Sequence, residues 1–282
     1  MMLWGCTTRA RSTRMNRSKI HLGTSGWSYD DWVGPFYPAG TPAARYLAVY
    51  ARHFNTVEID ATFYRPPGMT MIKAWRERTP DAFVFAAKVP RFVTHDQALH
   101  DVQPAIEHFA NIMRELGPQC GPLLFQFAPS FTAEHFDRLA AVLPELPTDL
   151  RWAIEVRHTS WLMEPFYDLL RAHNVALAHV DLPWMPRATP VTADFAYIRW
   201  LGDRRSMTHD FSYVRPEFAR SHELDWWARQ IERMVERNLE VFAYANNHYQ
   251  GHSPATLRFM QARLGLAVNE PEAPLQQQQL EL

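Results

Sequence analysis

The chain has 282 residues, 47% hydrophobic and 21% charged, with 29 basic side chains against 30 acidic ones. That balance excludes a polycation that binds nucleic acid through net charge alone, and no apolar run approaches the ~18–20 residues of a membrane span. Two cysteines, Cys6 and Cys120, supply neither a disulfide framework nor a zinc spacing, which fits a cytoplasmic protein.

Residues 1–18 carry Arg9, Arg11, Arg14 and Arg17 but lack the apolar core of a secretory signal. They read as a flexible extension, or as sequence upstream of a true start at Met15. Residues 269–282 (NEPEAPLQQQQLEL) are polar and low in complexity, and read as a disordered tail. The folded body is expected over 19–268.

Within the body, short apolar or β-branched runs recur at 20–24, 56–61, 83–88 and 123–127, and again at 152–157, 176–181, 196–200 and 241–245. The segments between them are mostly helical in period: Leu224, Trp227, Ala228, Ile231, Met234 and Val235 form one stripe, and Leu47, Tyr50, Ala51 and Phe54 another. Apolar strands alternating with helices argue for a parallel sheet covered on its outside. Eight such units in this length predict a single (β/α)8 TIM-like barrel. Residues 182–195 hold Pro183, Pro186 and Pro190 without helical period, so the sixth unit is expected to be irregular. A doubly wound sheet competes less well, because no glycine-rich dinucleotide turn follows the first strand.

In such a barrel the chemistry sits at the C-terminal ends of the strands. Those ends carry Glu58 and Asp60, Lys88, Gln126, Glu155 with Arg157 and His158, His179 with Asp181, Arg199, and Asn246-Asn247-His248. Alternation along a strand puts Glu58, Asp60 and Thr62 on one face, as it does Glu155 with Arg157, His179 with Asp181, and Tyr244 with Asn246. These faces are expected to point into the mouth.

The segments GTSGWSYDDWVGPFYP (23–38), VEIDATFYR (57–65), KVPRFVTH (88–95), AIEVRHTSW (153–161) and NNHYQGHSP (246–254) resemble the DUF72 (YecE-like) family over nearly the whole body. The resemblance implies a TIM barrel whose strand-end residues form a shared pocket. Asp60 stands where the family pattern often carries Asn, which adds a negative charge. The family is one of unknown function, so the resemblance implies no reaction.

The reading favoured from the residues is an enzyme doing carboxylate acid–base chemistry on a small polar ligand, sugar-like or phosphorylated. Glu155 is the expected acid–base group, with Glu58 and Asp60 as partners and His158 beside them. Arg157, Lys88 and Arg199 set the charge, and Gln126 and Asn246 orient the ligand. Asp181, Asn247 and His248 complete the lining. Trp27, Tyr29, Tyr64, Trp161 and Trp184 lie in expected strand-to-helix loops, where rings stack on sugar faces. Glycoside hydrolysis is the sharpest subclass, needing carboxyl groups ~5–5.5 Å apart for retention or ~6.5–9.5 Å for inversion. The bland alternative is an ion-pair network of Glu58 and Glu155 with Lys88, Arg157 and Arg199 that fills the barrel.

Three other readings compete. Glu155, His158, His179, Asp181 and His248 are donors suited to a divalent metal in a phosphoesterase or isomerase. Ser253 and Pro254 read as the N-cap and first position of a helix whose N-terminus, with Arg157, Arg199 and His248, would take a phosphate; a nucleic-acid end is a less favoured ligand of that kind. A non-catalytic ligand-binding barrel is the third. A Schiff-base role for Lys88 ranks below all of these. No motif demands a cofactor, and none sets the oligomeric state.

Overall fold

The computed structural model describes residues 15–205 and 210–268. The strands are β1 (Ile20–Thr24), β2 (Thr56–Ile59), β3 (Val84–Lys88), β4 (Cys120–Gln126), β5 (Trp152–Glu155), β6 (Ala176–Asp181), β7 (Phe195–Trp200) and β8 (Glu240–Ala245). All pairings are parallel, in the spatial order β1-β8-β7-β6-β5-β4-β3-β2. The ends of that order, β1 and β2, meet through the bridge Ser25↔Glu58, where Gly26 N–H donates to Glu58 O at 2.8 Å. The result is a nearly closed α/β barrel.

Side chains stitch the seam between β1 and β2. The amide of Asn55 accepts from Leu22 N–H at 3.1 Å and donates to Ile20 O at 3.0 Å, much as a strand partner would. The Tyr50 hydroxyl accepts from Thr24 N–H at 2.8 Å and donates to Thr56 O at 3.0 Å. Close approach here requires Gly23, since a Cβ at that position would lie 2.2 Å from Thr56 O.

Helices α1 (Tyr46–Tyr50), α2 (Met69–Glu77), α3 (Gln103–Arg114), α4 (Phe136–Val142), α5 (Glu164–Ala172), α6 (Ser221–Glu236) and α7 (Ser253–Arg263) cover the outside. The expected stripe on α6 is the buried one, from Leu224 to Val235. The stripe after β1 yields only the five residues of α1. Between β6 and β7 there is no helix. Thr192 instead ties this prolines-rich loop to the barrel, its hydroxyl donating to Val175 O and accepting from Leu177 N–H, both at 2.7 Å. Inside, alanines 86, 153, 176 and 178 leave room that Phe195, Tyr197, Phe242 and Tyr244 of β7 and β8 fill.

Two local expectations shift. β2 ends at Ile59, so Asp60 opens a 3-10 turn, Ala61–Phe63. Thr62 consequently leaves the mouth face and fixes the wall, its buried hydroxyl reaching Ile59 O at 2.9 Å and Lys88 O at 2.7 Å. Ser253 is the first residue of α7 rather than its cap, which is His252.

The expected extension falls mainly on residues 1–14, and the expected tail on 269–282, both outside the described residues. Residues 15–18 are described, and Arg17 Nε donates to Leu264 O at 3.0 Å. Among the described residues no helix is long and apolar enough to cross a membrane.

Candidate active site

The mouth is organised around Arg199, fully buried near the end of β7. Its Nη2 donates to Glu58 Oε1 at 2.6 Å, and its Nη1 donates to Glu155 Oε2. Glu58 also accepts from Ser25 Oγ at 2.8 Å and from Tyr197 OH at 2.6 Å. Glu155 also accepts from Arg157 Nε at 2.6 Å. Burial works to raise the Glu155 pKa, but the Arg199 and Arg157 guanidinium groups outweigh it and hold the carboxyl down to about 2. Glu155 is therefore ionised throughout the neutral range. In that range it can accept a proton but has none to donate.

The same bridge bears on glycoside hydrolysis. That chemistry needs room between two carboxyl groups for the scissile oxygen. Here a single guanidinium fills the space between Glu58 and Glu155. The ion-pair network expected as the bland alternative is present, and it forms the floor of the mouth.

Above the floor lie groups with capacity to spare. Asp60 is 26% exposed at its side chain, and its buried Oδ1 accepts no hydrogen bond. That oxygen sits 3.5 Å from Lys88 Nζ and 3.8 Å from Arg199 Nη2. Lys88 ends β3, donates to Gln126 Oε1 at 3.1 Å, and lies 4.2 Å from the centre of the Phe63 ring. Gln126 is oriented for this by its own donation to Phe127 O at 2.8 Å. Burial lowers the Lys88 pKa and Arg199 adds to that, while Asp60, Glu58 and Glu155 oppose it. Arg157 is 20% exposed at its side chain and reaches the mouth beside them.

Sequence reasoning missed His95. It lies in a π-helical turn, Phe92–Asp96, after β3, a rare geometry frequent at functional sites. Its ring stands edge-on to Phe63 at 5.0 Å, and its Nδ1 pairs with Thr94 Oγ1 at 2.9 Å. Burial, then Lys88, Arg91 and Arg157, lower its pKa. Its imidazole is thus neutral among cations. Tyr197, which holds Glu58 together with Ser25, was also missed.

Trp27 and Tyr29 flank the mouth half-buried. Trp27 packs edge-on against Trp75 at 5.8 Å, and the Tyr29 hydroxyl donates to Ser25 O at 2.8 Å. Tyr64 is 76% exposed on the β2–α2 connection. Asn246, at the end of β8, accepts from the His248 backbone N–H at 3.0 Å and pairs with its ring Nδ1 at 2.6 Å.

Other expected site residues have structural duties instead. Trp161 is fully buried; its Nε1–H donates to Phe131 O at 2.7 Å and its ring stacks on Phe131 at 5.5 Å. Asp181 and His179 face the outside of the barrel, because Ala176 and Ala178 take the inward positions of β6. Asp181 Oδ2 there accepts from Trp227 Nε1 at 2.7 Å, Tyr249 OH at 2.9 Å and Arg187 Nη2 at 3.0 Å. Asn247 is buried and accepts from Ser253 N–H at 3.1 Å and Ser253 Oγ at 2.7 Å. That bond occupies the first amide of α7, so this N–H is not available to the phosphate expected at the helix start. His158 caps the turn Thr159–Trp161, its Nδ1 accepting from Ser160 N–H at 3.2 Å.

These placements also separate the donors considered for a metal. Glu155 has both oxygens on guanidinium groups, Asp181 and His179 face outward, and His158 serves as a cap. Among the described residues, no three His, Cys, Asp or Glu side chains converge to hold an ion. The donor set does not fit a divalent metal.

Comparison with known proteins agrees with the architecture. The family model described as "Protein of unknown function DUF72" matches residues 21–280. UPF0759 protein YecE of Escherichia coli K12 is 33% identical over 139 residues, spanning 49% of this chain and 48% of YecE, about half its length. UPF0759 protein YunF of Bacillus subtilis 168 is 25% identical over 264 residues, 82% of this chain and 90% of YunF. Among solved structures, a DUF72 family protein of Thermotoga maritima superposes with a TM-score of 0.69 at 26% identity, covering 86% of this chain and 96% of that one. One of Enterococcus faecalis reaches 0.71 at 21% identity, covering 90% and 98%, and speaks to the fold alone. The chain belongs to the DUF72 family.

Proposed function

We propose that the protein is an enzyme doing acid–base chemistry on a small, polar, anionic ligand, such as a phosphorylated sugar, at the C-terminal mouth of the barrel. Lys88 and Arg157 take the anionic group, and Asp60 moves the proton, with His95 as its neutral counterpart. Glu58, Glu155 and Arg199 act as positioning residues that fix the cations from below. Gln126 orients Lys88, and Trp27, Tyr29 and Tyr64 offer ring faces at the rim.

One observation carries this reading. Of the three carboxylates in the cluster, Asp60 alone keeps a buried oxygen with no hydrogen-bond donor, and it does so beside two cations. Buried polar groups are normally satisfied, and an exception calls for a ligand group or a catalytic duty. A carboxylate partly open to solvent and set beside a lysine suits proton transfer.

The test is a panel of phosphorylated and unphosphorylated aldoses and ketoses incubated with the enzyme in D2O or H2 18O, read by mass spectrometry. Isomerisation or enolisation incorporates deuterium, and hydrolysis incorporates 18O. Wild type is expected to label a phosphorylated member, and Asp60→Asn to lose that labelling by about 10²-fold or more while keeping its fold. Labelling that survives in Asp60→Asn overturns the assignment. A protein that binds the panel but labels none of it favours the non-catalytic barrel.

A further inference from the structure

We infer that Lys88 is a carbonyl-capturing amine: the mouth forms a covalent imine with an aldehyde or ketone, which makes the ligand class a phosphorylated carbonyl compound. The inference rests on the acid–base reading of the mouth and deepens it, because it names the functional group on which Asp60 acts.

The geometry provides what an imine-forming lysine needs. Lys88 sits at the C-terminal end of β3, 8% exposed at its side chain, with its ammonium against the Phe63 ring rather than in bulk water. Desolvation by burial favours the neutral amine, the nucleophilic form. Gln126 Oε1 holds the nitrogen at 3.1 Å from one side. The under-coordinated oxygen of Asp60 waits at 3.5 Å on another. That contact is looser than a tight ion pair of about 2.7–2.9 Å, so a small approach of the two groups brings Asp60 within reach of the lysine's proton. The two guanidinium groups nearby differ in occupation: Arg199 is committed to Glu58 and Glu155, whereas Arg157 bonds Glu155 through Nε and remains partly exposed. Lys88 and Arg157 together draw the anionic ligand in, and Arg157 then holds the phosphate while Lys88 takes the carbonyl.

The step balances within these groups. Asp60 accepts a proton from the Lys88 ammonium. The freed nitrogen pair forms a C–N bond to the carbonyl carbon, and the carbonyl π pair moves onto oxygen. One proton passes from nitrogen to that oxygen, giving a carbinolamine. Asp60 then returns its proton to the hydroxyl, which leaves as water while the nitrogen pair forms the C=N bond. The net change is ammonium plus carbonyl to iminium plus water, with no external oxidant or reductant.

The chain offers a clean background for the test, because its lysines are only Lys19, Lys73 and Lys88. Full-length protein is incubated with glyceraldehyde 3-phosphate and sodium cyanoborohydride, whose hydride reduces the iminium to a stable secondary amine, and the adduct is mapped by peptide mass spectrometry. Lys73 is the internal reference, with its side chain 77% exposed on α2. The expected result is Lys88 labelling at least about tenfold faster than Lys73, slowed in Asp60→Asn and suppressed by inorganic phosphate. Labelling that follows exposure, with Lys73 ahead of Lys88, overturns the inference. The mapping is decisive in the wild type, whether or not Lys88→Met folds. A parallel titration with inorganic phosphate separates the two levels of the argument. If phosphate binds and Lys88→Gln or Arg157→Gln weakens it, yet Lys88 forms no adduct, the imine alone falls. If phosphate does not bind, the reading of the mouth falls with it.

Discussion

Arg199→Met removes the guanidinium that two buried carboxylates share. For Glu155, the gap between the usual 4.5 and about 2 corresponds to roughly 3 kcal/mol at about 1.4 kcal/mol per tenfold. That stability is present above the unfolded-state pKa and is lost as pH falls toward 2, so in the wild type it is constant between pH 5 and 8. In Arg199→Met, Glu58 keeps Ser25 and Tyr197, and Glu155 keeps Arg157. Breaking a buried pair nonetheless costs about 3–5 kcal/mol, and that is the expected loss at pH 8. With one guanidinium instead of two set against the same burial, Glu155 holds its charge less firmly in the variant, so the loss at pH 5 should be smaller by about 1–2 kcal/mol. Urea unfolding followed by tryptophan fluorescence at the two pH values measures both quantities. A loss below about 1 kcal/mol, the value of an exposed pair, or a loss equal at both pH values, refutes the reasoning.

Four further outcomes are expected. Trp161→Phe keeps an aromatic side chain but loses the indole N–H bond to Phe131 O and part of the buried volume, so it should cost about 1–3 kcal/mol and leave phosphate binding unchanged; weakened binding would return Trp161 to the site. Gly23→Ala drives a methyl to 2.2 Å from Thr56 O, and should lower the yield of folded protein sharply; wild-type thermal stability would contradict the seam geometry. Asp181→Leu strands the buried Trp227 N–H and Tyr249 hydroxyl, and should destabilise by about 2–5 kcal/mol without altering the mouth, as urea unfolding beside phosphate titration would show. If His95 acts as the neutral partner, the activity found by the labelling panel should fall only as pH drops through its lowered pKa, placing the acid limb below 6.5; a limb at or above 6.5 that persists in His95→Gln argues against it.

Period and alternation made much of the fold legible, because each strand and helix carries its pattern locally. The same alternation groups Glu58 with Asp60 and Glu155 with Arg157, and the bonds to Arg199 show Glu58 and Glu155 inside the barrel. Tyr197, two residues before Arg199 on β7, points the same way and reaches Glu58. On β6 the parity is reversed: ALAHVD offers a polar set and a small apolar set. The small set faces inward because Tyr197, Phe242 and Tyr244 already fill the barrel, and Trp227 and Tyr249 supply donors to Asp181 outside. Both reasons lie far away in sequence. Trp161 looks like a stacking platform until Phe131 is known to cover it. His95 depends on a π-helical turn that no residue pattern announces. Glu155 illustrates the energetic limit: the sequence places a carboxylate at the mouth, but only the positions of two guanidinium groups determine that it stays ionised.

The most direct test of the central claim is calorimetric titration of inorganic phosphate into wild type, Asp60→Asn and Arg157→Gln. Removing the carboxylate from between two cations should tighten phosphate binding, and removing the partly exposed guanidinium of Arg157 should weaken it by about tenfold or more. Equal affinities in all three proteins, or no binding in any of them, would contradict an anion site built on Lys88 and Arg157 around Asp60.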